Sequence, residues 1–242
     1  MRGIRGLDLG AYGRAFYLLA RHPQIMLGPL AAAVANVLIS IVLPSGNGFV
    51  GAANSGLAGL FAQLITSFGL AVAIVVGDSA WRYGRAPFDD ALDTARRRGG
   101  DILMAALGVS FITYVAQLAG SIVQVFGSLA LGAVATYFMI YALPAAAIGG
   151  IPGFGSLQIS LERARANVVP TLLLTALYFF AFLAVQLVLV PLLTPLLQAF
   201  PALASGHGVA LIAALVQTPV AAYVALMLAK TYENVSYGRS RY

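Results

Sequence analysis

Three stretches of this chain carry no charged residue: 22–77, 102–161 and 166–229, which are 56, 60 and 64 residues long. A membrane span needs about 20 consecutive apolar residues. Each stretch therefore holds two spans and a turn. Composition agrees: 60% of residues are hydrophobic and 9% charged, where soluble domains carry about 25% charge. A soluble domain and a disordered chain are both excluded. A closed β-barrel would show short segments of polar/apolar alternation, and these stretches are continuously apolar. The expected fold is all-α: a polytopic membrane protein with six transmembrane helices arranged as three hairpins. The spans are expected at 24–43, 57–77, 102–125, 130–149, 168–190 and 209–229. Turns are expected at Pro44–Gly48, at Gly127-Ser128, and in a Pro-rich apolar loop over 191–207 that also suits a re-entrant or interface-parallel segment.

All fourteen Lys and Arg residues fall on one side of this arrangement, in clusters near 2–21, 78–101, 163–165 and 230–241. The positive-inside rule makes that side cytoplasmic, with both termini on it. Thirteen of the fourteen are arginine and alanine is abundant, a composition of GC-rich bacterial coding, so the expected location is the bacterial cytoplasmic (inner) membrane. No cleavable signal peptide is visible, and the first span is expected to serve as the insertion signal. The chain is expected to form one membrane domain, 1–242.

Each hairpin is preceded by a short segment of amphipathic character. Residues 87–98 place Phe88, Ala91, Leu92 and Ala95 on one helical face, acids at the start and Arg96, Arg97 and Arg98 at the end. Pro87 suits the first helical position, and Gly99-Gly100 a stop. The pattern returns at Leu157, Ser160, Leu161 and Ala164, and in outline at Leu9, Tyr12, Gly13 and Phe16, where Asp8 can cap. This predicts internal repeats over 1–78, 79–150 and 151–242. The short helices are expected to lie in the membrane interface, apolar face on the bilayer, with Arg96, Arg97, Arg98, Arg163 and Arg165 at lipid headgroups or on a partner. Packing under the bundle is the alternative.

The run Gly84-Arg85-Ala86-Pro87-Phe88-Asp89-Asp90-Ala91-Leu92-Asp93-Thr94-Ala95-Arg96, with a second copy near Ser160-Leu161-Glu162-Arg163-Ala164, resembles a broad group of bacterial six-span proteins. Related modules form the membrane domain of glycerophosphodiester phosphodiesterases. The resemblance implies a six-span helical fold and no reaction, because the catalytic domain of such fusions is absent from these 242 residues.

Chemistry-bearing residues are few. There is no cysteine, so disulfides, thiolate metal sites and cysteine nucleophiles are excluded; there are two histidines, both expected as surface imidazoles. No charged residue lies inside an expected span, which argues against proton- or sodium-coupled transport. Asp78 is expected to pair with Arg82 one turn on. Hydrolase, metalloprotease and nucleotide-binding motifs are missing. No enzyme activity, cofactor, metal or nucleic-acid partner is therefore expected. The most organised polar feature is Ser110, Thr113, Gln117, Ser121 and Gln124, one stripe along the third span, with Asn36, Ser40, Gln63, Ser67, Thr136, Gln186 and Gln217 as partners on other spans. It serves either interhelical packing, which is the favoured reading, or a ligand. The expected function is a non-catalytic membrane scaffold or accessory subunit, in contact with membrane lipids and a larger membrane protein complex. The alternative is a small-molecule or lipid transporter or binding protein that uses the stripe.

Overall fold

The structure is a computed structural model; it describes residues 8–42, 49–122, 124–199 and 206–237. Ten α-helices and one 3-10 turn occur among them, and no strand. The protein is an all-α polytopic membrane protein. Six segments have the length and apolarity of membrane spans: Pro23–Val42, Ala58–Tyr83, Gly99–Ser121, Phe126–Ala147, Val168–Val185 and Leu211–Ser236. They pair as three hairpins, each preceded by a short helix.

The first short helix, α1 (Leu9–Arg21), starts at Asp8, whose carboxylate accepts from the Ala11 N–H at 3.2 Å and also pairs with Arg14. It ends at His22-Pro23. A 3-10 turn (Pro23–Met26) leads into α2 (Leu27–Val42), which pairs with α3 (Phe49–Tyr83). The expected turn at Pro44–Gly48 lies outside the described residues. These helices touch at Gly28 and Gly69. A Cβ at Gly69 would sit 2.6 Å from both the Ala32 Cβ and the Gly28 carbonyl oxygen, so only glycine permits this approach. Gly84 then turns the chain with φ +63°.

The second short helix is α4 (Phe88–Arg97). Pro87 precedes its first residue instead of occupying it. Gly99 and Gly100 do not stop the chain as expected; Arg98 alone forms the corner, and both glycines open α5 (Gly99–Ser121). The turn into α6 (Gln124–Met139) also falls earlier than expected. Gly127 lies inside α6, where the carbonyl of Gly127 approaches Gly120 so closely that no Cβ fits there. The fourth span is broken: α6 stops at Met139 and α7 (Ala142–Ala147) resumes it. Pro144 explains the break, since it has no N–H for the carbonyl of Ile140. Two other backbone groups at the break are served by Ser160. The Tyr141 N–H donates to Ser160 Oγ at 3.0 Å, and Ser160 Oγ donates to the Phe138 carbonyl at 2.7 Å.

The third unit is α8 (Gly155–Ala166), α9 (Val168–Ala199) and α10 (Gly206–Tyr237). Helix α9 runs through Pro191 and Pro195, so residues 191–199 are helix and not the expected loop or re-entrant segment. Prolines are tolerated inside membrane helices more readily than in soluble ones.

The second span of each hairpin lies at the centre. Helices α3, α7 and α10 contact one another, and each hairpin's second span packs on the next hairpin's first: α3 on α5, α6 on α9, α10 on α2. Buried Ala71–Val76 of α3 and Ala222–Ala229 of α10 form the core.

The short helices follow the packed alternative. In α4, Ala91 and Ala95 are buried in the core and Phe88 and Leu92 pack against it. Its one apolar face is thus turned onto the bundle, not onto the bilayer, because a ten-residue helix has no second apolar face to spend. In α8, Ser156, Ser160 and Ala164 face inward. Helix α1 differs. Its bundle side is Ala11, Ala15 and Leu19, while Leu9, Phe16 and Tyr17 are about two-thirds exposed. It presents apolar residues both to the protein and outward.

Candidate functional site: two cavities between the spans

The polar stripe of the third span divides in the structure. Ser110, Thr113 and Gln117 line a cavity of about 610 Å³ bounded chiefly by α3, α5 and α6. Three of the partners named from the sequence meet them there: Gln63 and Ser67 from α3, and Thr136 from α6. Ser121 does not join them; its hydroxyl donates to the Leu118 carbonyl of its own helix at 2.6 Å. The side chain of Gln124 lies outside the described residues, as does that of Gln186.

Local packing opens this cavity. Gly132 on α6 lets Gln117 lie flat against it, since a Cβ there would be 3.2 Å from Gln117 Cγ. Ser67 and Gly59 leave α3 thin on the same side. The remaining wall is apolar, with Leu64, Phe111, Met139 and Leu143 among it. Leu60, Phe111 and Gln117 are exposed at the rim, so the cavity opens between α3 and α5. Ser110 Oγ is buried with no hydrogen-bond partner among the described residues. Thr136, in contrast, returns its hydroxyl to the Gly132 carbonyl at 2.9 Å.

A second cavity of about 420 Å³ lies between α2, α3, α9 and α10 and takes in Asn36, Ser40, Thr66, Gln217 and Thr218. Leu70 and Tyr178 belong to the walls of both cavities and so form the partition. Neither residue stood out in the sequence. An aromatic with a polar tip in a fifth span was the only signal Tyr178 offered.

Among the described residues, no acid, base or histidine lines either cavity. The described charges gather at one end of the bundle. Asp78 pairs with Arg82 at 2.9 Å, and Arg82 faces Glu233 of α10 at 3.8 Å. Glu233 also binds Lys230 at 2.9 Å, and the Lys230 ammonium lies 5.7 Å from the centre of the Trp81 ring. Trp81 Nε1 donates to the Leu226 carbonyl at 3.0 Å, tying α3 to α10. Asp101 accepts from the Gly153 N–H at 2.9 Å and so fixes the turn before α8.

Of the arginines expected at headgroups, two are engaged by the protein. Arg98 donates to the Ala147 carbonyl at 2.9 Å, closing the end of α7. Arg163 lies over the Tyr232 ring at 4.1 Å and bonds Ser236. Arg96 faces Asp93 at 3.8 Å on the open surface, Arg97 reaches Thr94 at 3.5 Å, and Arg165 is exposed. His22 is half-buried rather than superficial, with Nε2 unpartnered among the described residues. His207 falls in the first turn of α10, its side chain outside the described residues. No group of three His, Asp or Glu that suits a metal occurs among the described residues.

Comparison with protein-family models, with curated proteins and with solved structures gives no match to this chain.

Proposed function

We propose that the protein is a non-catalytic membrane protein that binds an uncharged amphiphile in the larger cavity. One observation carries this reading: polar side chains from three different spans converge on one space of about 610 Å³, and Ser110 Oγ in its wall has no partner among the described residues. Interhelical glue consumes its hydrogen bonds between helices; these groups face a cavity instead. Ligand sites of this kind hold about 300–1,000 Å³, are mostly apolar, and carry a few placed polar groups. The described wall residues carry no charge, which selects a neutral ligand. The mixed wall selects one with an apolar body and a hydrogen-bonding head. The clustering of Lys and Arg at one end supports an inner-membrane protein whose termini are cytoplasmic.

Reconstitution in nanodiscs of phosphatidylethanolamine and phosphatidylglycerol from the native membrane, followed by native mass spectrometry, tests this. One neutral small molecule or lipid should stay with each chain, and Gln117→Leu should remove it without lowering the melting temperature. Equal retention in both proteins overturns the proposal.

A scaffold role, as an accessory subunit of a larger membrane complex, is the second reading. It is favoured by the lengths of α3, α9 and α10: 35, 32 and 32 residues extend about 48–53 Å, against a hydrocarbon core of about 30 Å. Such a helix tilts steeply or projects from the bilayer, where a partner would hold it. Stoichiometric co-purification of a second membrane protein, with no small molecule retained, selects this reading.

A further inference from the structure

The second cavity has its own unmet chemistry. Asn36 reaches across from α2 to α3, where its Nδ2 donates to Thr66 Oγ1 at 2.8 Å. Its Oδ1 is buried and has no partner among the described residues. The nearby hydroxyls are committed elsewhere: Ser40 donates to the Val37 carbonyl at 2.7 Å and Thr218 to the Ala214 carbonyl at 2.8 Å. Both bonds lie within their own helices, so neither group serves Asn36. A buried amide oxygen without a donor carries the full desolvation penalty of that group. Rotating the amide does not remove the cost, because it exchanges an unpaired acceptor for an unpaired donor. A hydroxyl group satisfies Asn36 in either orientation, since it both donates and accepts.

The rest of the wall describes the body attached to that hydroxyl. Ala32, Ala33, Ala213, Ala214 and Ala221 leave a narrow slot between α2 and α10. Among the described residues, no acid, base or histidine lines it. A phosphate or ammonium group would enter without a counter-charge and lose its hydration uncompensated. Thr66 and Ser40 are exposed at the rim, which gives access from the side of the bundle.

We infer that the cavity between α2, α3, α9 and α10 is a separate binding site for a neutral lipid with a free hydroxyl, anchored by Asn36. The class includes diacylglycerol and long-chain isoprenoid alcohols. The site shares only Leu70 and Tyr178 with the larger cavity, and these two form the wall between them; Asn36 lies on its side alone, so the inference does not rest on the function proposed above.

The test uses the whole protein in phosphatidylcholine nanodiscs doped in turn with dioleoylglycerol, its O-methyl ether, a polyprenol and the polyprenyl methyl ether. Bound lipid is counted by native mass spectrometry. At least one free alcohol should bind about tenfold more tightly than its methyl ether, and the alcohol that does so identifies the source. Asn36→Leu should abolish that preference, while Gln117→Leu should leave it intact. Ala213→Phe fills the slot and keeps the Asn36–Thr66 bond; it should also abolish binding, which covers the case in which Asn36→Leu fails to fold. Equal retention of alcohols and ethers overturns the inference. So does binding that survives Ala213→Phe, or binding of neither alcohol.

Discussion

The polar side chains at the break in the fourth span and those in the two cavities behave in opposite ways. At the break in the fourth span, Ser160 both accepts from the Tyr141 N–H and donates to the Phe138 carbonyl. The Tyr141 hydroxyl lies 3.1 Å from Thr171 Oγ1, and Thr171 donates to the Asn167 carbonyl at 2.6 Å. Every one of these three side chains is fully buried and spoken for. In the two cavities, Ser110 and Asn36 are left with buried polar atoms unmatched among the described residues. Polar side chains that repair a broken backbone are structural. Polar side chains that converge on open space and are left short of partners suit a ligand.

The largest effect should come from the structural cluster. Ser160→Val strips the Tyr141 N–H and the Phe138 carbonyl of their partner at a buried position and adds bulk where none fits. A loss of about 3 kcal/mol is expected, measured as unfolding in mixed micelles. Unfolding of Ser160→Val at the wild-type midpoint would break the comparison outright. Tyr141→Phe is milder. It removes only the bond to Thr171, which keeps its own bond to Asn167, and membrane hydrogen bonds average about 0.6 kcal/mol. A fall of about 0.5–1 kcal/mol is expected in the same assay.

How far the sequence announced these regions depends on the kind of signal each left. The spans were legible because charge is excluded from the bilayer core, so Arg21, Asp78, Asp101, Glu162, Arg165 and Lys230 bracket them like punctuation. The cavity was half legible. Helical spacing put Ser110, Thr113 and Gln117 on one face, but periodicity within one span cannot say what that face meets. It therefore extended the stripe to Ser121, which bonds its own helix. The short helices misled for a similar reason: a single apolar face at Phe88, Ala91, Leu92 and Ala95 is the same whether bilayer or protein covers it. Tyr141 and Thr171 were missed because their partnership spans thirty residues and depends on the break that Pro144 makes. The second cavity is legible only in three dimensions, since it needs Asn36, Thr66 and Gln217 from three spans.

The smallest effects on stability should come from the larger cavity, and there they sharpen the contrast. Ser110→Ala removes a hydroxyl that nothing in the described structure uses. Stability should change by less than about 0.5 kcal/mol and can rise, because an unmet buried polar group is deleted. Ligand retention should fall in the same protein. Gly132→Ala is finer still. Its Cβ would press on Gln117 Cγ at 3.2 Å, a contact tight enough to displace a flexible side chain by a few tenths of an ångström but not to unfold a helix that alanine favours. The melting temperature should stay level or rise slightly, while ligand retention drops partially. If Gly132→Ala destabilises the protein and leaves retention untouched, Gln117 is packing for α6 and the larger cavity loses its strongest polar anchor.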